Sequence, residues 1–192
     1  MHEKAIGSKA VLRREVRAAL AKISAEEKAI ASESARRILV QQEVWQKAQS
    51  ILFFAPTQNE VDIWPLLEGA LGEGKIVALP RFVPERVSYT ACCVQNITKE
   101  IRAGHYNIRE PVATCTEVAL NRLDLILVPG VAFDLHGRRL GRGKGFYDQM
   151  LATVRGTTCG VAFEEQIVRE VPVEPHDIHL NCILTPRRWI EL

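Results

Sequence analysis

The sequence predicts an α/β fold, a mainly parallel sheet in one domain, and three observations predict it. Short apolar runs at residues 51–55, 76–79, 125–128, 158–162 and 181–185 recur between stretches of helical spacing. The first two runs bracket a helix, and a strand–helix–strand unit closes as a right-handed parallel crossover. The run 125–128 ends at Pro129-Gly130, and a glycine-rich basic loop then leads into Phe146, Tyr147, Met150, Leu151 and Val154 at helical spacing.

The elements follow in order. Ser8 is placed to cap a helix whose apolar stripe is Leu12, Val16, Ala19, Leu20 and Ile23. Its other face carries Lys9, Arg13, Arg14 and Arg17, which read as a solvated surface. Ser24 and Glu27 form a capping box for a second helix to about Gln41, and residues 44–48 read as one more helical turn. The run 51–55 before Pro56 is the first strand, and the loop behind it carries Glu60 and Asp62. Pro65 suits the first turn of a helix to Leu71, stopped by Gly72 and Gly74, and the second strand ends before Pro80. Val87, Tyr89, Ala91 and Cys93 alternate as a half-exposed, antiparallel edge strand does. Residues 95–118 show no period, with turns marked at Gly104, Asn107 and Pro111.

A chain of 192 residues is long enough for one well-buried core, and neither a repeat nor a low-complexity linker calls for a second domain. A net charge of +2 argues against nucleic acid as a partner, and no apolar run reaches the ~20 residues of a membrane helix. Five cysteines, two of them adjacent, make neither a disulfide framework nor a zinc pattern, so reduced thiols in a cytoplasmic protein are expected. The amphipathic helices lead to the expectation of a monomer.

The loop after the central run concentrates the chemistry. It holds Gly137, Gly141, Gly143 and Gly145 among Arg138, Arg139, Arg142 and Lys144. Spaced glycines let backbone N–H groups approach an anion, and the following helix start adds partial positive charge. A P-loop would need glycine at Arg138 and Ser or Thr at Gly145, and a dinucleotide fingerprint would need glycine at Phe146, so neither pattern fits. A solvated basic turn is the competing interpretation. Placement at the carboxyl end of a parallel strand, where open α/β sheets bind ligands, favours a polyanion such as phosphate.

Val128-Pro129-Gly130, Phe133-Asp134, Gly137 and Arg139-Leu140-Gly141-Arg142-Gly143-Lys144-Gly145-Phe146-Tyr147-Asp148 closely resemble the signature of the 5-formyltetrahydrofolate cyclo-ligase family. The resemblance spans nearly the whole chain, from Lys9-Ala-Val-Leu-Arg13 through Phe53 to Glu60, and from Gly74-Lys75 to Pro80-Arg81. It continues to Pro172, Glu174, Asp177 and Leu184-Thr185. It implies a three-layer sandwich around a mainly parallel sheet, similar to sugar-phosphate isomerases and CoA transferases. It also implies ATP- and Mg²⁺-dependent closure of 5-formyltetrahydrofolate to 5,10-methenyltetrahydrofolate.

By the same resemblance, Lys9, Arg13 and the run Arg139 through Tyr147 bind ATP, with Arg142, Lys144 and Tyr147 as catalytic candidates. Ala55, Glu60, Arg142, Gly143, Lys144, Gly145 and Phe146 contact the folate, and Asp148 and Asp177 hold the metal. Asp148 also suits the first turn of a helix on its own account. Trp64 suits either a stack on the folate ring or the core. His136 reads as a solvated loop residue, and His176 and His179 lack the further ligands of a zinc site. Two departures from the family pattern stand out: Phe146 where tyrosine is common, and Asn181 where an acid is common. Rival functions are an isomerase or transferase for a phosphorylated metabolite or CoA thioester, and a folate- or nucleotide-binding relative without catalysis. An RNA-binding module is disfavoured, since aromatic residues do not interleave with the basic ones.

Overall fold

The structure is a computed structural model describing residues 2–172 and 178–192, with side chains from residue 9 onward. Helices α1 (His2–Leu20), α2 (Ala25–Val40) and α3 (Glu43–Lys47) precede β1 (Ser50–Leu52), and α4 (Pro65–Gly72) joins it to β2 (Ile76–Val83). Then come β3 (Ser88–Val94), α5 (Ile97–Glu100), β4 (Ile101–Ala103), β5 (Arg109–Pro111), β6 (Glu117–Val118) and β7 (Leu125–Val128). The chain continues through β8 (Ala132–Phe133), β9 (Arg139–Leu140), α6 (Phe146–Leu151), β10 (Thr157–Val161), β11 (Cys182–Leu184) and β12 (Trp189–Glu191).

Eight strands form the main sheet in the order β12-β11-β10-β7-β1-β2-β3-β6. The four central pairings are parallel, and the antiparallel ones lie toward the two sides. Side chains alternate across a strand, and here both faces are apolar. Ile51, Phe53, Val77, Leu79, Leu125, Leu127, Cys159, Val161, Cys182 and Leu184 share one cluster with Val16, Leu20, Ala35, Leu39, Trp45 and Leu67 of helices α1 to α4. Leu52, Ala78, Ile126, Val128 and Ile183 share the other with Met150 and Leu151 of α6. Three layers result, as the resemblance implied.

Local signals explain most of the helices. Ser24 accepts from Glu27 N–H while the Glu27 side chain accepts from Ser24 N–H, the expected capping box of α2. Lys75 is buried, and its Nζ donates to the carbonyls of Trp45 and Ala48 at 3.3 and 2.8 Å, satisfying the last turn of α3. Ser8 is not a cap: it lies within α1, which begins earlier.

The sheet departs from expectation where tertiary pairing outweighs local signals. Pro80 does not end β2, because the strand continues to Val83 against β3. It does end the pairing with β1. Phe53 N–H donates to Ala78 O at 2.9 Å, and the next donor in that parallel ladder would be Pro80 nitrogen, which has no hydrogen. The chain is therefore free to leave the sheet after Phe53. Val87 forms the β2–β3 turn with φ 48°, and β3 is covered at one end by β6, so β3 is not the edge strand. Residues 95–118 contain the hairpin β4–β5, tied down by Arg81, which donates to the carbonyls of Val112, Ala113 and Cys115. Helix α6 stops at Leu151, short of Val154.

The connections create a crevice. From β1 the chain moves to β2, β3 and β6 on one side and then returns to β7 on the other side of β1. The loops after β1 and β7 thus diverge, which is where open α/β sheets bind ligands.

Candidate active site

A cleft of about 140 Å³ lies at this divergence. Phe54, Ala55 and Glu60 line it from the loop after β1, and Pro129 and Gly130 from the end of β7. Arg139, Gly141, Arg142, Lys144, Gly145, Phe146, Tyr147 and Asp148 complete that wall, while Pro80, Tyr89, Tyr106, Ile108, Arg109 and Glu110 form the opposite one. Ligand pockets usually span roughly 300–1,000 Å³, so the cleft has room for one ring system and an extended ligand must continue over its rim.

The cations of the glycine loop divide by burial. Arg139 is buried, donates to Pro129 O at 3.2 Å and pairs with Asp148, with its guanidinium carbon 5.7 Å from the Tyr147 ring centre. It braces the loop from beneath. Arg142 is half exposed and donates to Glu60 Oε1 at 2.7 Å and to Thr57 Oγ1 at 2.9 Å. Lys144 is exposed and makes no ion pair or hydrogen bond among the described residues. Gly143 and Gly145 have φ of 96° and 70°, a region L side chains rarely adopt, so the backbone on either side of Lys144 calls for glycine. Arg13 reaches across from α1 and donates from Nε to Gly141 O at 2.9 Å, with Lys9 one turn before it on the same helix. The α6 helix has only six residues, so the loop's side chains carry more of the positive potential than its dipole does.

Facing this loop, the Glu60 side chain is only 8% exposed, and its Oε2 accepts from Thr57 N–H at 2.9 Å and Thr57 Oγ1 at 3.1 Å. The neighbouring wall is aromatic. The Phe146 ring meets Tyr89 at 5.1 Å and Phe82 at 5.9 Å, both edge to face, and Phe82 stacks on His105 at 3.9 Å. Burial pushes the Tyr89 phenol up to about 12, helped by the nearby Glu110 charge. Burial, then the Glu60 charge, raises the Tyr147 phenol still further.

The structure brings most of the expected residues together, but not all. Trp64 does not line the cleft: it packs on the core with the Arg109 guanidinium 3.6 Å over its ring. Leu140 points into the core, leaving only its backbone to the loop. Asn181 bonds Thr158 N–H and Oγ1 between β10 and β11, away from the cleft. His136 is exposed on the β8–β9 turn. Asp177, His176 and Glu174 lie outside the described residues. Sequence reasoning missed Tyr89, whose alternation marks only a strand, and Tyr106, Arg109 and Glu110, whose stretch has no period; all four reach the cleft through sheet and hairpin pairing.

Comparison with known proteins decides the relationship. The model of the 5-formyltetrahydrofolate cyclo-ligase family matches residues 5–186. The chain belongs to the 5-formyltetrahydrofolate cyclo-ligase family. The 5-formyltetrahydrofolate cyclo-ligase of Mus musculus is 32% identical over 184 residues, covering 90% of this chain and 91% of the relative. That of Escherichia coli K12 is 34% identical over 145 residues, covering 73% and 80%. The solved 5,10-methenyltetrahydrofolate synthetase of Aquifex aeolicus superposes with a TM-score of 0.86 at 32% identity, over 96% of this chain and 92% of that one. In this cyclo-ligase family member, the glycine loop and Glu60 therefore face one another across a single cleft.

Proposed function

We propose that the protein converts 5-formyltetrahydrofolate to 5,10-methenyltetrahydrofolate at this cleft, using ATP and releasing ADP and phosphate. One observation carries the reading: the exposed Lys144 and a hydrogen-bonded Arg142–Glu60 pair line one cleft where the sheet reverses its order. An amide-like formyl carbon is a poor electrophile and its oxygen a poor leaving group. Attack of the formyl oxygen on the γ-phosphorus, with ADP departing, corrects both. Folate N10 then adds to the activated carbon and closes the ring, its proton passes to water, and phosphate leaves as the carbon–nitrogen double bond of the methenyl product forms.

Charge builds on phosphoryl oxygens during the first step, so preorganised donors and cations matter most. Arg142 and Lys144 stabilise the transferring group, and the backbone at Gly141, Gly143 and Gly145 approaches the phosphates. Arg13 and Lys9 hold the loop and nucleotide from α1, and Arg139 supports the loop through Asp148. Glu60 accepts N–H donors of the pterin ring, Ala55 and Phe146 give apolar contact, and Tyr147 positions the ligands through its ring. Its raised phenol makes it a poor proton carrier near neutral pH.

Mg²⁺ fits the donors present. It takes one or two carboxylates with phosphate oxygens and water, and Asp148, which also pairs with Arg139, offers one carboxylate at the cleft; Asp177, the second candidate, lies outside the described residues. When bound, the ion neutralises phosphate charge. No helix of the described chain is long and apolar enough to cross a membrane, and all five cysteines are free. The reading is of a monomeric, cytoplasmic, single-domain enzyme of residues 1–192 that acts on small molecules and not on nucleic acid. Incubation with Mg-ATP and 5-formyltetrahydrofolate is expected to produce the methenyl product's near-ultraviolet absorbance with one ADP per turnover. Binding without turnover would leave only a folate-binding relative.

A further inference from the structure

A buried acceptor without a donor sits in the wall of the cleft. Glu110, on β5, is only 7% exposed and borders the cleft with Tyr89 and Tyr106. Its Oε2 accepts from Phe82 N–H at 3.0 Å, whereas its Oε1 is buried with no partner among the described residues. Buried polar atoms nearly always find a partner, because an unmet one forfeits its hydrogen bonds to water and regains none.

The surroundings hold this carboxylate in place. A Cβ on Gly104, across the hairpin, would lie 2.7 Å from Glu110 Cδ, so that position has no room for a side chain while Glu110 occupies it. Phe82, whose backbone fixes Oε2, is itself stacked on His105 at 3.9 Å and 8°. Tyr106 and Asn107 at the hairpin tip both have φ of 57°, a conformation that non-glycine residues seldom adopt and that functional sites often retain.

We propose that Glu110 is a second carboxylate for the folate ring, its Oε1 accepting a hydrogen bond from the pterin 2-amino group. The inference rests on the proposed function and deepens it. A pterin places its 2-amino group beside ring N3–H, two adjacent donors that suit acceptor-only oxygens. Adenine's amino group instead lies beside an acceptor nitrogen. The rings of Tyr89 and Phe146 beside Glu110 suit a flat heterocycle. Glu60 already serves Arg142 and Thr57, so the Glu110 oxygen is the acceptor with no competing donor.

The test is a ligand-by-mutant cycle. Wild type and Glu110→Gln are titrated with 5-formyltetrahydrofolate, with its 2-desamino-2-methyl analogue, and separately with ATP. Wild type should prefer the parent folate by about 10–100-fold, the range for a hydrogen bond to a charged group. Glu110→Gln should lose most of that preference while its ATP affinity and thermal midpoint stay put. Retention of the full preference in the variant, or a loss confined to ATP, overturns the proposal. If the variant does not fold, a structure of the wild-type folate complex decides. An amino nitrogen within about 3.2 Å of Oε1 supports the assignment, and one beyond about 4 Å overturns it. Wild type that turns over folate while Glu110→Gln keeps the preference sinks this inference alone. Wild type that neither binds nor turns over folate sinks the proposed function with it.

Discussion

Arg142 and Glu60, eighty-two residues apart in the chain, hydrogen-bond at 2.7 Å across the mouth of the cleft. On the proposed roles the cation serves phosphate as well as folate, and the carboxylate serves the pterin. A triphosphate bound as proposed would compete with Glu60 for Arg142 and so free a carboxylate oxygen for the folate. Folate should therefore bind several-fold tighter in the presence of a non-hydrolysable ATP analogue. Glu60→Gln should weaken folate about tenfold without weakening ATP, since the variant no longer competes for Arg142 with its charge. Calorimetric titration in both orders checks this, and an unaltered folate affinity in the variant would remove Glu60 from the site.

Lys144 is exposed at the cleft with no partner among the described residues to lose. Lys144→Ala is expected to cut turnover by roughly 10²–10³, as removal of other electrostatic stabilisers does, while stability stays within about 0.5 kcal/mol. Steady-state kinetics beside a denaturant melt separates the two effects. A large stability loss with full activity would refute the assignment.

Gly143 holds its loop at φ 96°, and an added Cβ would meet the Arg13 guanidinium only at 3.5 Å, an ordinary contact. The cost of Gly143→Ala is thus conformational, of order 1–2 kcal/mol, and falls on the loop. ATP affinity should fall about tenfold while the midpoint drops by only a few degrees. Nucleotide titration beside a thermal scan reads both.

Lys75 does not line the cleft and supports the end of α3 through carbonyls of Trp45 and Ala48. Lys75→Met should destabilise the fold by about 2–4 kcal/mol, since buried carbonyls lose their donor. Activity per folded molecule should persist, as an assay normalised to the native fraction would report.

Alkaline pH should weaken the fold before it alters the chemistry. Burial raises the Cys92 thiol from 9 to about 11 and the Tyr89 phenol from 10 to about 12. The folded chain keeps these protons where the unfolded chain has released them, so ionisation favours unfolding. Their contribution is intact below pH 9 and is lost as pH rises through 9 to 12. Urea melts between pH 8 and 11 should show the decline. Tyr147→Phe should leave the shape of the pH–rate profile near neutrality unchanged, because its phenol stays protonated throughout.

Read from residues alone, β7 and the capping box of α2 were legible, because each rests on neighbours in sequence: an unbroken apolar run, and a serine three residues before a glutamate. The glycine loop was legible for the same reason, its spacing being local. Ser8 was misread because a capping residue type can also sit inside a helix that starts earlier. Trp64 was left between two environments, and the Arg109 guanidinium over its ring, from a distant hairpin, decided for the core side.

The sequence by itself determined the α/β class, the strand cores and the family, since periodicity, turn residues and a contiguous signature need no long-range partner; the three layers came only with the family resemblance. Only the tertiary structure decided which loop cation is buried and which is exposed, that Arg142 meets Glu60, and that Glu110 reaches the cleft at all. Those outcomes depend on β3 pairing with β2 and on Pro80 releasing the chain after β1. They are hydrogen-bonding events between segments far apart in the chain, which local patterns do not encode.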